Sequence, residues 1–403
     1  MNRDSFTYAL KAQRLLNDAL QYWLYGSLSS FSLKNSLCHR YYVNAQPLTK
    51  CAVALQESGT LSMGLKLQLL PRKVSTIQYS ETLTLFYRRW EQYLSQVNSV
   101  HATMPKAQNY QSWLAEGKAN SRYRPVYVLR RILNRRGPKF FKRAIIHGSI
   151  ATLDDTPGFS DMDLAFVVRA TVLKDAKKLL QLRKLAAEIL TLTYSFDPFM
   201  HHGPYYFSEI DLKWYPEAMF PSILFGYGVD LLDNSEELEI GVRPSDYITD
   251  QQLRMFERFF ESWPNSPFVL KDSYDIEWLL GSAMLLPALY LQRKTGAFYY
   301  KRDTFPLAEK DFSTEEWEPI KIASTLRASL GTRPKPPRPL LWLALFLRWP
   351  GLLQRWARRQ PLSIQRAGKA TTALGQDYPQ RVLRLLRTMK SKIENTDTFQ
   401  RTR

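Results

Sequence analysis

Cysteine is nearly absent. The 403 residues hold two, Cys38 and Cys51, and no cysteine or Cys/His cluster has the spacing of a metal site. A disulfide scaffold and a zinc ribbon are thereby excluded, and two isolated thiols suit a reducing cytoplasm. An exported amino terminus is not evident either, because Arg3, Asp4, Lys11, Arg14 and Asp18 interrupt the apolar residues of the first turns. The apolar run Leu340 to Leu347 has eight residues, well short of the roughly 20 that cross a bilayer. The chain also has no GxxxxGK[ST] loop, no GxGxxG after a strand, no HExxH and no GxSxG. P-loop, dinucleotide-binding, zincin and serine-hydrolase chemistry each lack their main residues.

Acidic residues are scarce at the carboxy-terminal end. The formal net charge is +19, and residues 331–403 carry sixteen Lys and Arg against three Asp and Glu, a surplus of thirteen. Such a tail suits a polyanion, either RNA or an anionic membrane surface; an interfacial helix would account for Trp349, Trp356 and the arginines around them, and packing on another domain is the alternative. The hydrophobic and charged fractions, 45% and 23%, are those of an ordinary globular protein. A chain of this length exceeds one usual domain.

Apolar spacing divides the sequence into four regions. Residues 1–125 read as helical, with periodic apolar positions from Tyr8 to Leu28 and from Thr82 to Val100. Residues 126–240 read as an α/β core. In it, Ala144 to His147 forms a short buried strand stopped by Gly148, Met162 to Val168 a second strand, Thr171 to Leu192 an amphipathic helix, and Tyr205 to Trp214 a third strand. Residues 241–330 return to helices, and the nearly apolar Trp278 to Gln292 belongs inside a bundle. RPKPPRP, residues 333–339, reads as an extended linker to a basic tail at 331–403.

Chemistry-bearing residues concentrate between 147 and 163. Asp161 and Asp163 are one residue apart, so on a strand both carboxylates share a face while Met162 and Leu164 enter the core. Paired carboxylates of this kind hold the divalent ions of nucleotidyl transfer. Gly148 lets a triphosphate approach the backbone, and Ser149 adds a hydroxyl at the start of a helical turn. The spacer IATLDDTPGFS supplies a loop closed by Pro157 and Gly158, with Asp154 and Asp155 as turn and cap residues and Ser160 leading into the pair.

The segment HGSIATLDDTPGFSDMDLAFVV resembles the motif of the DNA polymerase β-like nucleotidyltransferase superfamily: hydrophobic-Gly-Ser, a spacer, then Asp-x-Asp-hydrophobic. The match covers some twenty residues. It implies a nucleotidyltransferase α/β core, a mixed sheet with helices, flanked by helical amino- and carboxy-terminal regions. It implies a nucleoside triphosphate, ATP first, seated on Gly148 and Ser149 beside Ser160. It further implies Mg²⁺, or Mn²⁺ in its place, held by Asp161, Asp163 and a third carboxylate on a later strand.

In YYFSEIDLKWY that third acid is Asp211, also the candidate base for the acceptor hydroxyl, with Glu209 in reserve. Lys213, two residues on, would meet a phosphate from the same face. DPFMHHGP just upstream is similar to a paired-histidine loop in a subset of bacterial relatives, where His202 would touch substrate; a structural histidine is the bland alternative. GAFYYKRDTFPLAEKDF, residues 296–312, loosely resembles the later helices of small-molecule adenylyltransferases and bears on architecture alone. The acceptor expected is a hydroxyl of a small molecule or protein, with an RNA end second. The rival reading is a non-catalytic or antitoxin-like binding protein. Location is expected to be cytoplasmic, with attachment to a membrane surface through the tail left open.

Overall fold

The apolar stretch before Gly148 does form a central strand, and its neighbours sort their side chains onto two faces as alternation requires. The structure is a computed structural model describing residues 3–26, 42–60, 71–97, 100–116, 123–156, 160–200, 203–215, 217, 220–234, 236–242, 246–263, 268–330, 335–347 and 349–401. The chain is a mixed α/β protein, largely helical, with a small mixed sheet. Its strands are β1 Tyr42–Asn44, β2 Lys73–Ser75, β3 Val100–Thr103, β4 Gln108–Asn109, β5 Phe141–His147, β6 Asp163–Val168, β7 Tyr205–Ser208, β8 Val229–Asp230 and β9 Glu239–Val242. The central sheet runs β4-β8-β5-β6-β7, while β1 pairs with β2 and β3 with β9.

β5 and β6 are antiparallel and in register from Ile146↔Leu164 to the terminal pair His147↔Asp163. Leu164, Phe166 and Val168 face a core shared with the amino-terminal helices, whereas Ala165 and Val167 face a second core with Ile145 and Phe207. A register shift between Phe141 and Arg143 lets Phe141 and Ala144 reach the first face together. β6 returns to β7 in parallel through the Ala176–Phe196 helix, capped by Asp175, whose carboxylate accepts from Lys177 N and Lys178 N. A crossover helix is what a parallel pair needs.

The amino-terminal helices Arg3–Gln21, Gln46–Glu57 and Thr76–Leu94 cover the first face. Trp23 stacks on Tyr79 at 4.9 Å, and the buried Arg183 guanidinium lies 4.1 Å over the Trp23 ring. Cys51 is a buried thiol pushed well above its ordinary pKa by burial, which makes it inert; Cys38 lies outside the described residues.

One expectation needs correction. Tyr205 to Trp214 is not one strand: β7 ends at Ser208 and Glu209–Trp214 is a 3-10 helix, started by the Ser208 hydroxyl, which accepts from Ile210 N at 3.0 Å. The segment after residue 331, for which the sequence leaves packing on another domain open, packs on the bundle. Helices Pro361–Leu374 and Tyr378–Arg401 place Ala367, Ala370, Leu374, Tyr378, Val382, Leu386 and Met389 in the same core as Phe260, Leu280, Tyr290 and Trp317 of the bundle. Apolar periodicity in these two helices outweighs their positive charge: Lys369, Arg384 and Arg387 are exposed, while Arg366 is buried. Among the described residues no helix is long and apolar enough to cross a membrane.

Candidate active site

At the end of the β5–β6 pair the chain must turn sharply, and it does so through Gly148. This residue has φ +70°, and a Cβ built there would sit 2.4 Å from Oδ2 of Asp163. Only glycine tolerates both the left-handed backbone and the carboxylate against it. The short Gly148–Ala151 helix follows and presents Ser149. Asp161 and Asp163 flank Met162, which is buried in the first core together with Leu164, as the period-two argument predicts. Ser160 closes the preceding loop, its hydroxyl accepting from Thr156 N at 2.7 Å.

These residues line a cleft of about 670 Å³ between the sheet and the carboxy-terminal bundle. That volume suits a nucleotide-sized ligand. The sheet side contributes His147, Gly148, Ser149, Ser160, Asp161 and Asp163. The bundle side contributes Glu277, Tyr299, Tyr300, Lys301, Phe305 and Arg327, with an apolar floor of Leu285, Ala288 and Leu289. The two sides are tied together where residues 299–302 cross the turn. Tyr300 stacks on Tyr227 at 4.2 Å, its hydroxyl lies 3.3 Å from that of Thr152, and Arg302 pairs with Asp154 at 3.4 Å.

Lys301 opens the Lys301–Glu309 helix. Burial lowers its ammonium to about 8, Arg327 pushes the same way, and Asp163 and Asp161 oppose the shift. Lys301 therefore senses both carboxylates from across the cleft. Sequence reasoning missed Lys301, Arg327 and His147, although the aromatic-basic cluster YYKR at 299–302 was a signal of a lining segment.

The predicted third carboxylate is elsewhere. β6 and β7 pair at Ala165↔Tyr205, so Asp163 is level with Gly203, and Ser208 is already about 16 Å further along at some 3.3 Å per residue. Asp211 lies beyond that end, buried, with Oδ1 accepting from Gln13 Nε2 and Trp90 Nε1, each at 2.8 Å. It clamps two amino-terminal helices to the sheet and is remote from the cleft. Glu209 points the same way: it accepts from Ala170 N at 2.8 Å and pairs with Lys142 at 3.1 Å. Lys213 is exposed on this 3-10 helix and does not line the cleft. His202 lies outside the described residues.

Asp161 and Asp163 are two carboxylates on the sheet side of the cleft that could contribute to a Mg²⁺ site, a cation that commonly takes one or two carboxylates. Among the described residues no group of three His, Cys, Asp or Glu is placed to hold a metal by protein ligands alone. The residues that converge thus define an α/β protein with a two-sided cleft, Asp161 and Asp163 on the sheet side and Lys301, Arg327 and Glu277 on the bundle side. No protein-family model, curated protein or solved structure matches the chain.

Proposed function

We propose that this chain is a Mg²⁺-dependent nucleotidyltransferase with a nucleotidyltransferase-type core, moving a nucleoside monophosphate from a nucleoside triphosphate, ATP first, to a hydroxyl of a small molecule or protein. The observation that carries the reading is the seating of the Asp163 carboxylate against the Gly148 turn, with Asp161 beside it and Lys301 across the cleft.

In this reading Gly148 and Ser149 receive the phosphates, and Asp161 and Asp163 hold Mg²⁺, which when bound supplies charge neutralisation at the triphosphate. Lys301 and Arg327 offset the charge that gathers on the departing pyrophosphate. The acceptor oxygen forms the new bond to the α-phosphorus, pyrophosphate leaves with the electron pair of the broken bond, and the acceptor hydroxyl proton passes to solvent water. The apolar floor and Tyr299 give a base or acceptor a surface to pack on. Asp211 takes no part, so neither the third-ligand nor the base role stays with it.

A second reading, a nucleotide-binding protein without turnover, is favoured by that same displacement of Asp211. One experiment separates the two. Incubation with α-³²P nucleoside triphosphates, Mg²⁺ and cell extract should move label to an acceptor, and an Asp161→Ala/Asp163→Ala variant should lose at least about a hundredfold of it. Lys301→Ala should weaken triphosphate affinity in calorimetry by about tenfold. Nucleotide binding with no label above the double variant would establish the binding-protein reading, and neither binding nor label would sink both.

A further inference from the structure

The Arg338–Leu347 helix is apolar on both sides but buried on only one. Leu340, Leu341 and Ala344 pack against Ala187, Leu190 and Tyr194 of the Ala176–Phe196 helix. On the other side Pro339, Trp342, Leu343 and Phe346 follow the i, i+3, i+4, i+7 spacing of one helical stripe. Trp342 is 72% exposed, Leu343 45% and Phe346 81%. Single exposed apolar residues are common, but two large aromatics and a leucine on one stripe form a patch. Leu362 and Ile364, at the start of the Pro361–Leu374 helix, are exposed as well. None of these residues lines the cleft.

The stretch of sequence that carries the patch has charge of one sign. Residues 331–376 contain nine Lys and Arg and no Asp or Glu. Among them Lys335, Arg338, Arg359 and Lys369 are exposed. We propose that this surface docks on an anionic lipid bilayer, with Trp342, Leu343 and Phe346 entering the boundary between headgroups and acyl chains and the flanking cations meeting lipid phosphates. Aromatic and leucine residues on one face, bordered by Lys and Arg, are what an interfacial helix presents. At ten residues the helix is about 15 Å long, so it lies on the surface and does not span it. Trp349, for which an interfacial helix is one explanation from sequence, is 4% exposed and does not contribute; Trp342 does.

Two other occupants fit less well. A second copy would bring the same exposed cations, Lys335 and Arg338, against themselves across a two-fold axis, like charge facing like charge. Single-stranded RNA would use the cations and the two rings but leave Leu343, Leu362 and Ile364 with nothing to stack on.

The full chain should co-sediment with phosphatidylcholine vesicles containing phosphatidylglycerol and not with phosphatidylcholine alone, and added salt should release it. Trp342→Ala/Phe346→Ala should lower partitioning by about tenfold or more, and Lys335→Glu/Arg338→Glu should remove the preference for anionic vesicles. Near-ultraviolet circular dichroism controls for folding of each variant. Absence of vesicle binding overturns the proposal, as does equal binding by wild type and the Trp342/Phe346 variant. A wild-type dimer in sedimentation equilibrium that this variant dissociates would assign the patch to a second copy. Single-stranded RNA binding lost in the variant, without vesicle binding, would assign it to RNA.

Discussion

Gly148 concentrates the constraints of the cleft in a single missing methyl group. Alanine there would have to adopt φ +70° and push aside the Asp163 carboxylate 2.4 Å away. The left-handed backbone alone costs about 1–2 kcal/mol, and the displaced carboxylate is one of the two groups proposed to hold Mg²⁺. Gly148→Ala is therefore expected to lower unfolding free energy in urea by at least that amount and to abolish Mg²⁺-dependent nucleotide binding, read by calorimetry on the folded protein. Retention of full affinity would mean that the turn does not contact the phosphates. Lys301 complements it from the other wall: it is the first residue of its helix, held between burial that discharges it and two aspartates that keep it charged.

At the scale of elements, the end of β7 shows where a helical turn and a strand part company. Glu-Ile-Asp-Leu-Lys-Trp alternates polar and apolar as a strand does, yet the Ser208 cap turns it into a 3-10 helix, and the alternation loses its meaning. Asp211 consequently becomes a structural clamp. Asp211→Ala would strand the buried donors of Gln13 and Trp90, at about 1–3 kcal/mol each, so a loss of about 2–6 kcal/mol is expected. Thermal unfolding should fall accordingly, while nucleotide affinity of the remaining folded protein stays at the wild-type level. Asp161→Ala should do the reverse, with little change in unfolding and loss of binding. Local patterns made β5, β6, the Ala176–Phe196 helix and the Gly148–Asp163 constellation legible, because each depends on neighbours within a few positions. Asp211 is satisfied by residues 198 and 121 positions away, and Lys301 feels the charge of the aspartates across some 140 residues of chain, so no local pattern reports either relation.

At the scale of the whole molecule, the carboxy-terminal residues are both core and surface. The proline-rich run at 333–339 looks like a border in sequence because its composition changes abruptly, but composition does not record which apolar faces meet. Leu374, Tyr378, Val382, Leu386 and Met389 fill the same core as Phe260 and Trp317, and Lys390 pairs with Glu257 at 2.6 Å. Burial on this scale, at about 1.5–3 kcal/mol for each large apolar side chain, far exceeds what one covalent connection contributes. If the chain is cut once within residues 331–334, for example at an inserted protease site, the two pieces should stay together in gel filtration and keep the circular dichroism of the intact chain. A chain expressed without residues 331–403 should instead aggregate, since it exposes the inner faces of the bundle helices. Pieces that separated on nicking, or a truncated chain that stayed monomeric and folded, would restore the tail as an independent unit. The same architecture links the two proposed surfaces. The helix that bears Trp342 and Phe346 packs on the Ala176–Phe196 helix, which is itself the crossover joining β6, with Asp163 at its start, to β7. A bilayer at that face would hold the cleft in a fixed orientation relative to the membrane, because only packed helices lie between them.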